Sequence, residues 1–367
     1  MRERGSRILL CGAAESAPGA PTITVAGTST ESATEGGYAP ASVSIPVAIL
    51  LFVGAFALTV ASSIVLAREL DRIGERLGFS EALVGILTAL GADAPEISSA
   101  VVAIVTGHKD TGVGVVVGSN VFNIAGLLGL SALLAGPVRI HAHGLVLTGG
   151  VAVLVAVIGG LVAVGVLPGA AGLALAVVAL APYVTMSALH ARARARLPAV
   201  LRAAVAEEQQ DARRDEFARP ATGVDTLAII PALAAVVGGS YGMVAAAQSL
   251  AGRWDVSDVV LGALVLAALT SIPNLIAAVR LALHGRGAAC VSESLNSNNA
   301  NILVGLCLPA VILGLGSVSG TEIFAAWWMV GMTAVAVALG FGGGLTRREG
   351  AAIIALYVGF AVVVATS

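Results

Sequence analysis

Long runs of Leu, Val and Ala recur along this chain, and each is long enough to cross a hydrocarbon layer, which requires about 20 helical residues. Of the 367 residues, 57% are hydrophobic and 11% are charged, whereas a soluble domain carries about 25% charge. A water-soluble core cannot absorb so many apolar side chains. The sequence therefore predicts an all-α integral membrane protein whose surrounding partner is the lipid bilayer. Ten membrane spans are predicted, at about 43–67, 81–106, 111–135, 143–166, 168–190, 225–250, 257–283, 288–315, 322–342 and 349–366.

Two polar segments outside these spans organise the chain. Residues 1–41, rich in Ser, Thr, Gly and Pro and without apolar periodicity, are predicted to be a disordered N-terminal tail. The apolar run at 8–10 is too short for a signal peptide. The polar stretch 191–223 is predicted to be a cytoplasmic linker that joins a first five-helix repeat, 42–190, to a second one, 224–367.

The distribution of basic residues predicts the orientation of the chain. If the N-terminus lies outside, fifteen of the twenty Lys and Arg residues fall in inner loops and two fall in outer loops. Cytoplasmic loops retain positive charge, so the sequence predicts a multi-pass protein of the cell membrane with an extracellular N-terminus. With five spans in each half, the two halves take opposite orientations.

Other functional classes find little support in the sequence. A formal net charge of -2 gives no reason to expect a nucleic-acid partner. Three cysteines indicate neither a disulfide framework nor a zinc site. Because the chain shows no nucleophile motif and no phosphate-binding loop, we expect neither enzymatic activity nor a cofactor. The sequence leaves the oligomeric state open.

An internal repeat appears when the chain is shifted by 178 positions against itself. The shift aligns Pro95 with Pro273, and the pair Ser119 and Asn123 with Ser297 and Asn301. Each proline lies in the middle of a span, where it removes an amide donor and loosens the helix. Since the two copies start on opposite sides of the membrane, the alignment predicts two inverted five-helix repeats.

Polar side chains gather at these prolines and in the span that follows each of them. Asp93 and Glu96 are three residues apart and share a helix face at mid-span, where an uncompensated carboxylate costs roughly 2.5 kcal/mol or more. The Ser and Asn of each following span are four residues apart and also share a face. Carboxylate, hydroxyl and amide oxygens suit Ca²⁺, whereas zinc and copper prefer nitrogen and sulfur. The pattern therefore indicates an oxygen-lined cation site within the membrane.

Both elements resemble the alpha repeats of the calcium/cation antiporter superfamily, the sodium/calcium exchangers and their relatives. The family's Gly-Thr-Ser-x-Pro-Glu element is similar to residues 91–96 and 269–274, and its Gly-Ser-Asn-x-x-Asn/Asp element to 118–123 and 296–301. The resemblance extends from about residue 43 to 366 and implies ten helices, extracellular termini and alternating access. The cation ligands that it implies are Glu96, Ser119, Asn123 and the Ala89 carbonyl in the first half, with Thr270, Ser271, Ser297, Asn301 and the Ala267 carbonyl in the second.

The chain departs from the family pattern at the acidic positions. Asn274 stands where the family has an acid, and Asp93 stands where a serine is usual. The site keeps two carboxylates but takes both from the first half, so we add Asp93 and Asn274 to the expected ligands. Because Asp93 and Glu96 share a face, repulsion and desolvation are expected to raise the proton affinity of at least one of them when no cation is bound.

The sequence thus favours a secondary active antiporter that exchanges Ca²⁺ for Na⁺ or H⁺ by alternating access, with inorganic cations as its transported partners. Two alternatives remain open. Asn274 in place of an acid favours a monovalent cation/H⁺ exchanger, and a decayed site would make the chain a non-transporting membrane scaffold that retains the fold. Loss of ion flux on neutralising Asp93 would support transport, whereas unchanged or absent flux would support the scaffold.

Overall fold

A computed structural model describes residues 43–77, 81–140, 142–188, 228–316 and 318–367. Within these ranges the chain forms twelve helices and no β-strand, apart from one bridge between Val138 and Leu345. The helices are α1 (Ile45–Arg76), α2 (Glu81–Ala92), α3 (Ala94–Val105), α4 (Lys109–Ala135), α5 (Ala142–Ala163), α6 (Gly169–Ala188), α7 (Ile229–Trp254), α8 (Asp258–Thr270), α9 (Ile272–Leu283), α10 (Gly287–Leu313), α11 (Gly320–Gly340) and α12 (Arg347–Thr366).

The prediction of an all-α integral membrane protein is confirmed. In the described part of the chain, eight helices are long and apolar enough to cross a membrane: α1, α4, α5, α6, α7, α10, α11 and α12. The pair α8 and α9 is long and apolar enough when its two helices are taken together, and the pair is bent by 48° at the break between them. The span predicted at 81–106 is observed as two short helices, α2 and α3.

The order of helices is the same in the two halves. Each half starts with a long helix, continues with a broken pair and a third helix, and ends with two further helices. Their opposed orientation and the domain boundaries remain predictions. The predicted tail, 1–41, and the predicted linker, 191–223, lie outside the described residues.

Each broken pair is divided by a single residue. Asp93 separates α2 from α3, and Ser271, which is 178 positions further on, separates α8 from α9. Pro95 and Pro273 lie in the first turn of the second helix of each pair, where a missing amide hydrogen costs little. The prolines therefore start new helices instead of kinking continuous ones. As a result, side chains at the break lie in the interior of the bundle.

Three helices contain π-helical turns close to the breaks. These turns are Ile124–Leu130 in α4, Leu261–Leu266 in α8 and Asn301–Cys307 in α10. Each π-helical stretch inserts extra backbone into the helix, and such stretches are frequent at functional sites. The turn in α4 follows directly after Asn123, and the turn in α10 begins at Asn301.

The centre of the bundle is formed by α4, with α10 beside it. In its most apolar stretch, 89% of the α4 residues are buried, compared with 17% in α6, which is an outer helix. Backbones approach closely at this centre. A methyl group at Gly118 of α4 would collide with the backbone of Ala263 in α8, so this contact requires glycine. Outward-facing Leu, Val and Ile side chains on the outer helices form a surface suited to lipid.

Candidate cation-binding site

The two helix breaks bring the two predicted carboxylates together with side chains from the second half. Asp93 and Glu96 come from the break between α2 and α3, and Ser271 and Asn274 come from the break between α8 and α9. Ser297 reaches the same place from α10. All five side chains are at most 2% exposed. The site is therefore assembled in the interior of the protein from residues more than 170 positions apart.

Neutral donors from the second half hold both carboxylates. Asn274 Nδ2 donates to Asp93 Oδ1 at 2.7 Å and lies 3.2 Å from Glu96 Oε2. Ser271 Oγ donates to Glu96 Oε1 at 2.6 Å, and Ser297 Oγ donates to Asp93 Oδ1 at 2.7 Å. One amide group thus binds both acids. Because the donors are uncharged, they orient the carboxylates without cancelling their charge.

An amide cluster of α4 and α10 lies next to the carboxylates. Asn123 Nδ2 donates to Ser297 Oγ and to Asn298 Oδ1, both at 3.0 Å. Asn120 and Asn298 donate to each other's backbone carbonyls, at 3.4 Å and 3.1 Å. Such bonds between helices are common in membrane proteins. Asn120 and Asn298 therefore hold α4 against α10, while Asn123 also contacts the network around Asp93.

Some of the remaining predicted ligands form hydrogen bonds within their own helix, and others have no hydrogen-bond partner among the described residues. Thr270 Oγ1 donates to the Leu266 carbonyl at 2.8 Å, along its own helix. The Ala89 and Ala267 carbonyls accept the amides of Asp93 at 2.8 Å and Ser271 at 3.2 Å. A carbonyl oxygen has a second lone pair, which is left for another ligand at Ala89, whereas the Ala267 carbonyl also lies 3.3 Å from Thr270 Oγ1.

Four of the predicted ligand side chains carry a buried oxygen that has no hydrogen-bond donor among the described residues: Asp93 Oδ2, Ser119 Oγ, Asn123 Oδ1 and Asn301 Oδ1. A buried acceptor without a partner costs about 1–3 kcal/mol, so four of them among the predicted ligands need an explanation. No Lys or Arg is buried in the described part of the chain that could neutralise the carboxylates. A cation bound among these oxygens would satisfy both the acceptors and the charge. No described cluster of three or more His, Cys, Asp or Glu side chains suggests a site for another metal.

Three serines that the sequence reasoning missed lie beside the site. Ser98 Oγ and Ser240 Oγ are 2.5 Å apart, which ties α3 to α7. Ser99 Oγ donates to the Pro95 carbonyl at 2.6 Å and lies 3.5 Å from Ser240 Oγ. The available signals were a serine within the apolar span of α7 and two serines within three residues after Glu96. These residues support the start of α3, which carries Glu96.

The fold and the site together define an all-helical membrane protein with an acidic, oxygen-rich centre between two broken helices. The chain belongs to the sodium/calcium exchanger protein family, whose model matches residues 47–190 and 224–366. Proteins of this family are secondary transporters and not enzymes. The predicted resemblance to the calcium/cation antiporters is thereby confirmed.

Individual relatives agree with this assignment. The human sodium/potassium/calcium exchanger 4 is 42% identical over 71 residues, which make up 19% of this chain and 11% of that protein. The chain therefore spans only about a tenth of the length of the curated relatives it matches.

Solved structures share the fold. An H⁺/Ca²⁺ exchanger, CAX, matches with a TM-score of 0.65 and 15% identity, over 87% of this chain and 85% of that chain. The sodium-calcium exchanger NCX_Mj matches with a TM-score of 0.55 and 21% identity, over 85% of this chain and 96% of that chain. At these identities the likeness concerns the fold alone.

Proposed function

We propose that this protein is a secondary active antiporter that exchanges Ca²⁺ for H⁺ or Na⁺ across the membrane by alternating access. One observation carries the proposal. Asp93 and Glu96 are both 1% exposed, and the side chains that donate hydrogen bonds to them, Ser271, Asn274 and Ser297, are neutral. Two ionised carboxylates in such a place carry a charge of about -2, which one divalent cation neutralises.

The oxygens around the carboxylates fit the coordination that Ca²⁺ requires. Calcium takes about six to eight oxygen ligands and tolerates irregular geometry. We assign this role to the two carboxylates and to the hydroxyl and amide oxygens nearby, with the two helix carbonyls as further ligands. The proposed set is Asp93, Glu96, Ser119, Asn123, Thr270, Ser271, Asn274, Ser297, Asn301 and the carbonyls of Ala89 and Ala267. Four of these side chains, Asp93, Ser119, Asn123 and Asn301, carry oxygens without a donor among the described residues.

Protons contribute to the counter-transport, alongside or instead of sodium. Asn274 Nδ2 lies within 3.4 Å of oxygens from both carboxylates, so the two acids are held close together. When no cation is bound, two acids that are buried close together favour binding of a proton. Ca²⁺ is bound best when both acids are ionised, so its arrival displaces that proton. The names of the relatives include both coupling ions, since one solved structure is an H⁺/Ca²⁺ exchanger and another is a sodium-calcium exchanger.

Uptake of ⁴⁵Ca²⁺ into proteoliposomes tests this function. We expect an outward proton gradient to drive Ca²⁺ uptake. If sodium is also a coupling ion, an outward sodium gradient should drive additional uptake. Uptake of labelled Na⁺ or K⁺ against protons without any Ca²⁺ uptake would instead establish the monovalent exchanger. Absence of flux for every ion, from protein that is folded and correctly inserted, would establish the scaffold and refute the proposal.

A further inference from the structure

The first half of α10 is unusually polar for a membrane span. Before it reaches Ser297, this helix carries Ser292, Glu293, Ser294 and Asn296, and its hydropathy is the lowest of the eight spans in the described part of the chain. Glu293 is partly exposed and is not one of the groups that hold Asp93 and Glu96 in the site described above.

The equivalent stretch of α4 contains no polar side chain. A shift of 178 positions pairs Ser292 with Gly114, Glu293 with Val115 and Asn296 with Gly118. The stretch 112–118 of α4 is fully buried and packs closely against α8. The two halves therefore differ here, so the internal repeat by itself does not require polar residues in this part of α10.

One of these polar residues, Glu293, lies one helical turn from the site. Glu293 lies four residues before Ser297, so both occupy one face of α10, about one helical turn apart. Ser297 in turn donates to Asp93 Oδ1 at 2.7 Å. Since α10 packs against α2, which ends at the break that carries Asp93, the line leads from the start of α10 to the buried carboxylates.

A second helix, α6, contributes a tyrosine next to the polar residues of α10. Asn296 Nδ2 donates to Tyr183 Oη of α6 at 2.8 Å and to Ser292 Oγ at 3.0 Å. Tyr183 is 2% exposed, whereas Glu293 and Asn296 are partly exposed. Tyr183, Ser292, Glu293 and Asn296 thus provide oxygens at the depth between the end of the helix and the site. We call these four residues the α10 polar line.

We propose that the α10 polar line is the access path along which the transported cation moves between one membrane face and Asp93, with Glu293 as its attracting carboxylate. This inference rests on the proposed function. A fixed negative charge in a confined path raises the local cation concentration and the rate of binding. Because α4 has no equivalent residues, the path serves only the face on which α10 begins, which the basic residues predict to be cytoplasmic.

One-sided kinetics test the role of Glu293. The half-saturating Ca²⁺ concentration is measured at each membrane face, with right-side-out and inside-out vesicles. Labelling of His284→Cys, in the loop before α10, identifies the face at which α10 begins. We expect Glu293→Gln to raise this concentration about tenfold at that face and to leave the opposite face unchanged. Glu293→Asp keeps the charge and should stay close to wild type. An unchanged value at both faces, or an equal rise at both, would overturn the proposal.

Cysteine accessibility tests the path itself and does not depend on transport. In a chain with its native cysteines replaced by alanine, Asn296→Cys should react with a cationic thiol reagent from the α10 face only, and Ca²⁺ should slow the reaction. Protection by Ca²⁺ in a protein without flux would refute the proposed antiport but retain the path. Reaction from the opposite face, or from neither face, would refute the path even if Ca²⁺ flux is normal.

Discussion

Glu96 and Asn274 occupy equivalent positions in the two halves of the chain and contact each other, with Asn274 Nδ2 3.2 Å from Glu96 Oε2. Asn120 and Asn298, also 178 positions apart, do the same through reciprocal amide bonds. Residues that are equivalent by symmetry touch each other only near a two-fold axis. The two pairs therefore support a pseudo-two-fold axis through the site, as an inverted repeat requires. Asn274 departs from this equivalence, because it replaces the acid that would mirror Glu96.

Glu96→Gln should reduce Ca²⁺ exchange to background while the protein still folds. The substitution keeps the shape of the side chain and removes one of the two buried charges that a divalent cation requires. Flux of ⁴⁵Ca²⁺ and the size-exclusion profile in detergent are the measurements. Asp255→Asn is the matched control, because Asp255 is exposed and adopts a left-handed conformation (φ 54°) that Asn also tolerates. Transport near the wild-type level in Glu96→Gln would refute the assignment of Glu96.

Moving the acid from Asp93 back to position 274 should restore the usual family arrangement. Asp93→Ser alone leaves one carboxylate, and Asn274→Glu alone puts a third acid within about 3 Å of the other two, where like charges repel. We expect each single variant to lose most of its Ca²⁺ flux and the double variant to recover it. The double variant should also depend more on sodium and less on pH. If the losses of Ca²⁺ flux in the two single variants simply add in the double variant, the acid at position 93 does not substitute for an acid at position 274.

Ca²⁺ affinity should fall as the pH falls. Protonation of Asp93 or Glu96 removes a charge that Ca²⁺ needs, so the half-saturating Ca²⁺ concentration rises with acidity and decreases as the acids ionise. If each Ca²⁺ displaces one proton, the change is up to about tenfold per pH unit. Initial rates of ⁴⁵Ca²⁺ uptake between about pH 6 and 8 cover the window in which a buried acid pair titrates. A strictly sodium-dependent flux that is flat across this window would show that Asp93 is a relocated ligand without a role in proton coupling.

Single cysteines placed in 196–215 should be labelled only from the cytoplasmic side. This prediction depends on the fifteen basic residues that the proposed orientation places in inner loops, against two in outer loops. Membrane-impermeant thiol reagents applied to intact cells and to inside-out vesicles are the test, with His284→Cys as a second position expected on the same side. Labelling from outside in intact cells would reverse the orientation. Opposite sides for the two positions would contradict the predicted number of spans between them.

Much of the fold follows from the sequence because the apolar runs and the prolines act locally. Nine of the ten predicted spans correspond to one helix or to one bent pair of helices, and the tenth, at 81–106, is divided between α2 and α3. The prolines correctly indicate where the helices break, although the break falls two residues earlier, at Asp93 and Ser271. Helix α1 continues to Arg76, beyond its predicted end at 67, since the contact between Glu69 and Arg72 at 2.7 Å supports another polar turn.

Details that depend on contacts between the halves could not be predicted. The sequence placed Asn274 among the ligands but gave no sign that one amide would bind both carboxylates. Ser297 was predicted to act beside Asn301, yet its hydroxyl contacts Asp93 of the first half. The three π-helical turns were not predicted, because the apolar runs and prolines that the sequence analysis used do not distinguish a π-helical turn from an α-helical one. The sequence shows that Glu293 is an acid within a predicted span. Only the structure shows that Ser297, one helical turn further on, contacts Asp93.

Gly118→Ala should destabilise the protein and impair exchange, because the backbones of α4 and α8 approach each other closely at this glycine. The added methyl group would collide with the backbone of Ala263, which cannot move aside without shifting α8 and the break that carries Ser271. Overpacking of this kind costs about 1–3 kcal/mol.

Gly150→Ala in α5 is the matched control, since a methyl group there meets no atom within 4 Å and alanine favours the helix by about 1 kcal/mol. Thermal unfolding in detergent should therefore shift downward for the first variant and stay level or rise for the second, with ⁴⁵Ca²⁺ flux following the same order. Equal unfolding temperatures for the two variants would mean that the contact between α4 and α8 is looser than the structure indicates, and that Gly118 belongs to the motif for a reason other than packing.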